Sequence, residues 1–201
     1  MKFIDIERFI TESKTAEEDK LSLKEGIKLA KELMKKMGLR VVDTVGPSDR
    51  YKPNKAYLVG SIRREKTHIG DIDILVTKKL NPQDILKVEG VEDLTSRGDK
   101  QIFFDYTADN GKTFPINIWM LPKEQKDSFG AFMMHTTGSH KNNMLLRMIA
   151  KRNGNKLNQY GLFNKANEQI AGDTEESVYS NLYTKKWTEG KPWAKPSDRN
   201  K

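Results

Sequence analysis

The segment Asp71-Ile72-Asp73-Ile74-Leu75-Val76 constrains this chain more than any other. Its aliphatic run reads as a β-strand, and the two-residue period sends Ile72, Ile74 and Val76 to one face and Asp71 and Asp73 to the other. Two carboxylates on one side of a strand repel unless a cation lies between them, so the pattern asks for an oxygen-seeking divalent ion such as Mg2+. About ten residues upstream, Gly60-Ser61-Ile62-Arg63-Arg64 sets a glycine at a strand end, a serine able to cap a helix and two arginines in the first turn. Backbone N–H groups, a helix dipole and charge-assisted bonds of this kind make an anion site. A Gly-Ser turn or an Asp-x-Asp pair alone is usually just a turn or a solvated face. A phosphate cradle followed by a metal clamp points to phosphoryl or nucleotidyl transfer.

Around this segment the chain alternates strands and helices. Residues 1–20 read as an N-terminal extension with a short amphipathic helix from Phe3, Ile6 and Ile10. Ser22 precedes Leu23, Ile27, Ala30, Leu33, Met34 and Met37 at helical spacing, with Glu25 placed for a capping box and Gly38 as the stop. Strands are expected over 40–45 and 55–59. A hairpin is expected from Gln101–Thr107 and Thr113–Leu121, closed by Asn110-Gly111 as a two-residue type I′ turn. That turn would pair Asn117 with Phe104, and Asp105 with Ile116 on the other side of the hairpin. Ser139 caps a helix that runs through Met144, Leu145, Met148 and Ile149 to Asn153-Gly154. The tail from Lys185, with Trp187, Pro192, Trp193 and Pro196, reads as a surface strap.

Composition narrows the partners. With 36 Lys+Arg against 28 Asp+Glu the formal net charge is +8, which favours phosphate-bearing partners, and the lysines of 24–36 and 141–156 are candidate phosphate contacts. Cys is absent, which excludes disulfides, thiolate metal sites and a cysteine nucleophile and fits an intracellular setting, the cytoplasm or a virion. No run is apolar enough for a signal peptide or membrane span. A monomer is expected.

The motifs resemble those of the family X DNA polymerases, the polymerase beta group of the nucleotidyltransferases. Gly60-Ser61…Arg63-Arg64…Gly70-Asp71-Ile72-Asp73 is similar to the family's signature at the family's spacing. Thr137-Gly138-Ser139 with Asn143 and Arg147 is similar to a second segment, Asn158-Gln159-Tyr160 to a third, and Trp193-Ala194-Lys195-Pro196-Ser197-Asp198-Arg199 to the closing one. His135-Thr136-Thr137-Gly138 and the run from Lys156 to Phe163 resemble the minimal viral members.

The resemblance implies an α+β fold: a nucleotidyltransferase palm of mixed sheet and helices over 21–122, then a small helix-rich α/β lobe over 123–201 that selects the nucleotide, with no lyase domain. It implies that Asp71 and Asp73 bridge two Mg2+ ions, for which Mn2+ can substitute. Gly60, Ser61, Arg64 and Gly70 would hold the dNTP phosphates. His135 would pack near the sugar with Gly138 beside it, and His140 would lie near the base. Asn143 and Arg147 would reach minor-groove edges, and Lys141, Arg147, Asn158 and Tyr160 would contact DNA. The partners implied are gapped or primer-template DNA and dNTP. One position departs from the pattern: Asn117 stands where the family carries its third catalytic, metal-ligating Asp. An amide ligates weakly and cannot act as a base at neutral pH, so Asn117 suggests an inactivated form of a gap-filling, template-directed polymerase. The alternatives are a template-independent or non-DNA nucleotidyltransferase, and a nucleic-acid-binding module without catalysis.

Overall fold

Ser22 opens the fold with its side chain. In the computed structural model, which describes residues 20–183 and 194–200, the Ser22 hydroxyl accepts from the Glu25 amide and the Glu25 carboxylate accepts from the Ser22 amide. This capping box starts helix α1 (Leu23–Lys36), whose buried stripe is Gly26, Leu29, Ala30, Leu33 and Met34. Burying Leu29, Leu33 and Met34 contributes about 1.5–3 kcal/mol for each side chain. Strand β1 (Leu21–Ser22) pairs antiparallel with β4 (His68–Ile69) and pins the helix to the rest of the chain.

The central sheet has six strands, and the short helices α2 (Gly60–Arg63) and α3 (Pro82–Ile85) lie in its connections. Its order is β2 (Arg40–Val42), β3 (Lys55–Leu58), β5 (Ile72–Val76), β8 (Thr113–Met120), β7 (Gln101–Thr107) and β6 (Val91–Arg97). The β2–β3 and β5–β8 pairs are parallel and the others antiparallel, so the sheet is mixed. Ile72, Ile74 and Val76 face α1 and the main core with Ile116, Ile118, Ile102 and Phe104. The opposite face carries Asp73, Asn117 and Phe103 in one row across three strands.

The β7–β8 turn differs from its expectation. Ala108 pairs with Lys112 where the two-residue turn would set Asp109, with the Ala108 amide donating to the Lys112 carbonyl at 2.9 Å, and the Gly111 amide closes back on the Ala108 carbonyl at 2.8 Å. Gly111 has φ +77°, while Asn110 keeps the ordinary negative φ that a type I′ turn forbids. The loop is therefore three residues long, a tight turn followed by a left-handed glycine. One added residue shifts the ladder: Asn117 pairs with Phe103, and Asp105 with Pro115. Paired residues project to the same side, so Asp105 lies on the Asn117 face after all.

Beyond Pro122 a 3-10 segment (Lys123–Ser128) leads into α4 (Phe129–Thr137), apolar on all sides and buried along nearly its whole length. Such a helix has no amphipathic period to betray it. Helix α5 (His140–Arg152) is capped by the Ser139 side chain and buries Leu146, Ile149 and Ala150. A small sheet of β9 (Lys156–Asn158), β10 (Gly161–Phe163) and β11 (Gln169–Ala171) and helix α6 (Glu175–Leu182) complete a second core. Tyr57, Val59, Leu75, Leu121, Phe129, Phe132 and Met133 form a third cluster that joins the sheet to α4. Of the expected extension over 1–20, residues 1–19 lie outside the described residues, as do 185–193 of the strap expected from Lys185; the described end of that tail, Pro196–Asn200, buries Arg199 and does not only drape the surface. No helix among the described residues is long and apolar enough to cross a membrane.

Candidate active site

Asp71, Asp73 and Asn117 converge at the middle of the sheet. Asn117 lies directly across from Asp73 in the parallel β5–β8 ladder, and its amide nitrogen donates to Asp73 Oδ1 at 3.0 Å and to Asp71 Oδ2 at 3.3 Å. Burial pushes the Asp73 carboxyl well above its ordinary value, and the Asp71 charge adds to that. Asn117, the Arg64 charge and a hydrogen bond from Trp119 oppose the rise. A carboxyl raised in this way is one that a divalent cation beside it would stabilise in its charged form.

The chain crosses this pair at its closest approach. The Val59 amide donates to the Asp73 carbonyl at 3.0 Å, and Gly60, at φ +56°, begins the turn of α2 (Gly60–Arg63). A Cβ on Gly60 would stand 1.9 Å from Asp73 Oδ2. Only glycine permits both this backbone conformation and this distance. The Ser61 hydroxyl beside it is buried and has no hydrogen-bond partner among the described residues, an orphan of the kind a phosphate oxygen satisfies. Helix α2 is a single turn with Gly60, Ser61 and Ile62 buried, so the expected helix dipole contributes little. The residues present thus fit a metal-bound triphosphate: two carboxylates, an amide that can turn its oxygen inward, a close glycine and an orphaned hydroxyl.

The two arginines of the turn point to the C-terminal lobe. Arg63 donates to both oxygens of Glu175, at 2.9 and 2.8 Å, and to Thr137 Oγ1 at 2.7 Å. Arg199 reaches Glu175 Oε1 from the other side at 3.1 Å and the Ala194 carbonyl through two nitrogens. All three side chains are buried. Burial works to raise the Glu175 carboxyl, but the two guanidiniums outweigh it and hold it below its usual value. Arg64 donates to the Thr137 carbonyl and, at 3.0 Å, to Asn200, whose amide returns a bond to the Arg64 carbonyl at 2.8 Å. The sequence offered no sign of Glu175. It lies far along the chain, and its only local mark is a place in the first turn of α6 after the Thr174 cap.

A second group gathers around His135. Its ring packs edge-on against Trp119 at 5.8 Å, its carbonyl accepts from Asn143 at 2.9 Å, and Arg147 lies 3.4 Å from Nδ1. Burial, reinforced by the Arg147 charge, pushes the imidazole down to about 4. These residues line a small cleft with Leu157 and Asn158. Asn158 caps its own turn by accepting from the Tyr160 amide at 2.8 Å. The Tyr160 ring lies against Phe132 at 6.3 Å and beneath Lys100, whose ammonium is 4.5 Å from the ring centre. Gly138, at φ +71°, ends α4 beside Arg64, and Gly70 ends the loop that delivers Asp71. His140 and Lys141 are exposed on the first turn of α5. The structure thus brings Gly60, Ser61, Asp71, Asp73 and Asn117 into one site and His135, Asn143, Arg147 and Asn158 into another. Trp119, two residues after Asn117 on the same face, touches both, a role that sequence reading missed.

Residues 132–200 match the sequence family described as the DNA polymerase beta thumb. Among solved structures, the chain is similar to Leishmania infantum polymerase beta in a ternary primer/template complex, with a TM-score of 0.69 and 20% identity over 92% of this chain and 78% of that one. The same protein in a ternary gap complex gives a TM-score of 0.68 and 19% identity, over 90% of this chain and 71% of that one. The fold is that of polymerase beta. The thumb match lies within the C-terminal part of that fold. No curated protein sequence matches the chain.

Proposed function

We propose that this polymerase beta-like chain is a template-directed DNA polymerase that adds dNMP to a primer 3′-OH in short gaps, with two Mg2+ ions, or Mn2+, held by Asp71, Asp73 and the Asn117 oxygen. The observation that carries the reading is the convergence of Asp71, Asp73 and Asn117 under the Gly60-Ser61 turn. The bound ions would supply Lewis-acid stabilisation of charge on the reacting phosphates. Ser61 and the N–H groups of the α2 turn would orient the triphosphate. The half-buried, neutral His135 would pack against the sugar without competing for a proton, and Asn143 and Arg147 would test the minor-groove edge of the new pair. Lys141, His140, Asn158 and Tyr160 extend that surface toward DNA. The short Asp109-Asn110-Gly111 loop leaves little chain to substitute for a template, which favours templated over untemplated addition. A monomer working inside a cell, with a palm over 21–122 and a selecting lobe over 123–201, completes the reading.

A second reading has its own support. The Asn117 amide donates to both carboxylates and stabilises their charge without any cation, as a chain that only binds nucleic acid would allow. Primer extension across a one-nucleotide gap by this protein and by Asn117→Asp separates the two. The polymerase reading expects Asn117→Asp to raise templated insertion by on the order of 10²–10⁴. DNA binding without insertion by either protein leaves the binding module.

A further inference from the structure

Four large apolar side chains are exposed among the described residues, and three of them share one helix. Met144, Met148 and Leu145 on α5 are 51%, 50% and 48% exposed, while the buried stripe of the same helix is Leu146, Ile149 and Ala150. Met144 and Met148 stand one turn apart and form a ridge along the outward side. Exposed apolar side chains scattered singly need no explanation, but an aligned row on one helix does. The row is framed by charge of one sign: α5 carries Lys141, Arg147, Lys151 and Arg152 and no carboxylate. One edge of the ridge adjoins Arg147, which with Asn143 lines the cleft of His135.

We infer that the Met144–Met148 ridge is a stacking platform for an unpaired template base lying beyond the nascent pair. This rests on the DNA polymerase reading above and adds a single-strand contact to it. The chemistry of the ridge selects the occupant. A basic rim attracts a phosphodiester chain, whereas a second copy of this helix would bring two such rims together. The apolar crest requires a flat apolar face. Intact duplex hides its base faces in the stack and offers the ridge only sugar and phosphate, while a single strand offers one face per nucleotide. The thioether is polarisable and packs well on aromatic rings, and its three rotatable bonds adapt to purine and pyrimidine alike. The platform therefore reads the presence of an unpaired base and not its identity.

The test compares the protein with Met144→Gln/Met148→Gln, which keeps the helix propensity, the side-chain length and every charge. Two DNA hairpins serve as probes, one blunt and one with a short template overhang bearing 2-aminopurine next to the duplex. The unaltered protein is expected to quench the 2-aminopurine and to prefer the overhang. The variant should lose roughly five- to tenfold in affinity for the overhang, with the quenching, and bind the blunt hairpin as before. Its salt dependence should be unchanged, because no phosphate contact is removed. Equal binding of the overhang by both proteins, or the same loss on both hairpins, overturns the platform alone. Failure of the unaltered protein to bind either hairpin overturns the DNA polymerase reading and the platform with it. Concentration-dependent dimerisation that the variant abolishes would assign the ridge to a second copy instead.

Discussion

Asp73 and Glu175 are both carboxylates drawn away from water, and their surroundings push them in opposite directions. Burial raises Asp73 and the acid beside it adds to the rise; Glu175 is buried too, but Arg63 and Arg199 on either side hold it down. The difference separates a site from a joint. Glu175 has its full complement of cations inside the protein and ties the α2 turn to α6 and the C-terminal segment. Asp73 stays raised at the place where the backbone comes nearest. The turn of Gly60–Arg64 serves both: its glycine and serine belong to the site and its arginines to the joint. A change at the joint therefore reaches the site through one turn of helix.

Gly60→Ala should have the largest effect on the site side. The added Cβ would meet Asp73 Oδ2 at 1.9 Å, and φ +56° is disfavoured for alanine. Made in the Asn117→Asp background, it is expected to lower single-nucleotide insertion by on the order of 10²-fold, since a displacement of about 1 Å suffices for such losses. Unchanged insertion in a correctly folded protein would mean that the turn does not define the site.

Glu175→Gln attacks the joint. It leaves two buried guanidiniums facing a neutral amide, and breaking a buried ion pair from one side typically costs about 3–5 kcal/mol. Urea unfolding should register that loss, and a value under about 1 kcal/mol would place the coupling of the lobes in the apolar cluster of Tyr57, Phe129 and Phe132 instead. Because the Glu175 carboxyl is held low, the stability it brings is present above the ordinary range of a glutamate and lost as acid reaches its folded-state value.

His135 gives a pH test of the second group. Its imidazole stays neutral to about 4 in the folded protein but takes a proton near 6.5 when unfolded. The unfolded chain thus binds the extra proton between these values, and stability drops as the pH is lowered through that window, by up to on the order of 3 kcal/mol. Unfolding measured at both ends of the window should show a smaller drop for His135→Gln than for the unaltered chain. An equal drop would mean that the ring is hydrated and free to titrate.

The parts legible in the sequence were those encoded locally. Ser22 and Glu25 announce the start of α1, Ser139 that of α5, and the alternation of Asp71–Val76 the acid face of β5. Spacing alone brought Gly60 to Asp71 and Asp73. What escaped depended on distant or subtle terms. Glu175 meets Arg63 and Arg199 only through the tertiary fold, and α4 lacks a period because every side is covered. Asn110-Gly111 fits two turns that differ by one residue, and the choice between them decides which face each residue of β7 occupies.

That last choice yields the smallest effect and the sharpest check on the site. With Asp105 paired to Pro115, and Asp71 continuing the β5 register beside Pro115, three positions share one row: Asp71, Pro115 and Asp105. Asp105 is on the acid face, so the face does not disqualify it as a third carboxylate; distance does. Two strand spacings put its backbone about 10 Å from that of Asp71, with a proline between that carries no polar group. Asp105 is exposed, and its charge at that range is largely screened at ordinary salt. In the Asn117→Asp background, Asp105→Asn should change insertion by less than about twofold and stability by less than about 0.5 kcal/mol. A loss above tenfold would mean that β7 bends its acid into the site when DNA binds, and that the chain replaces the carboxylate missing at Asn117 from the neighbouring strand.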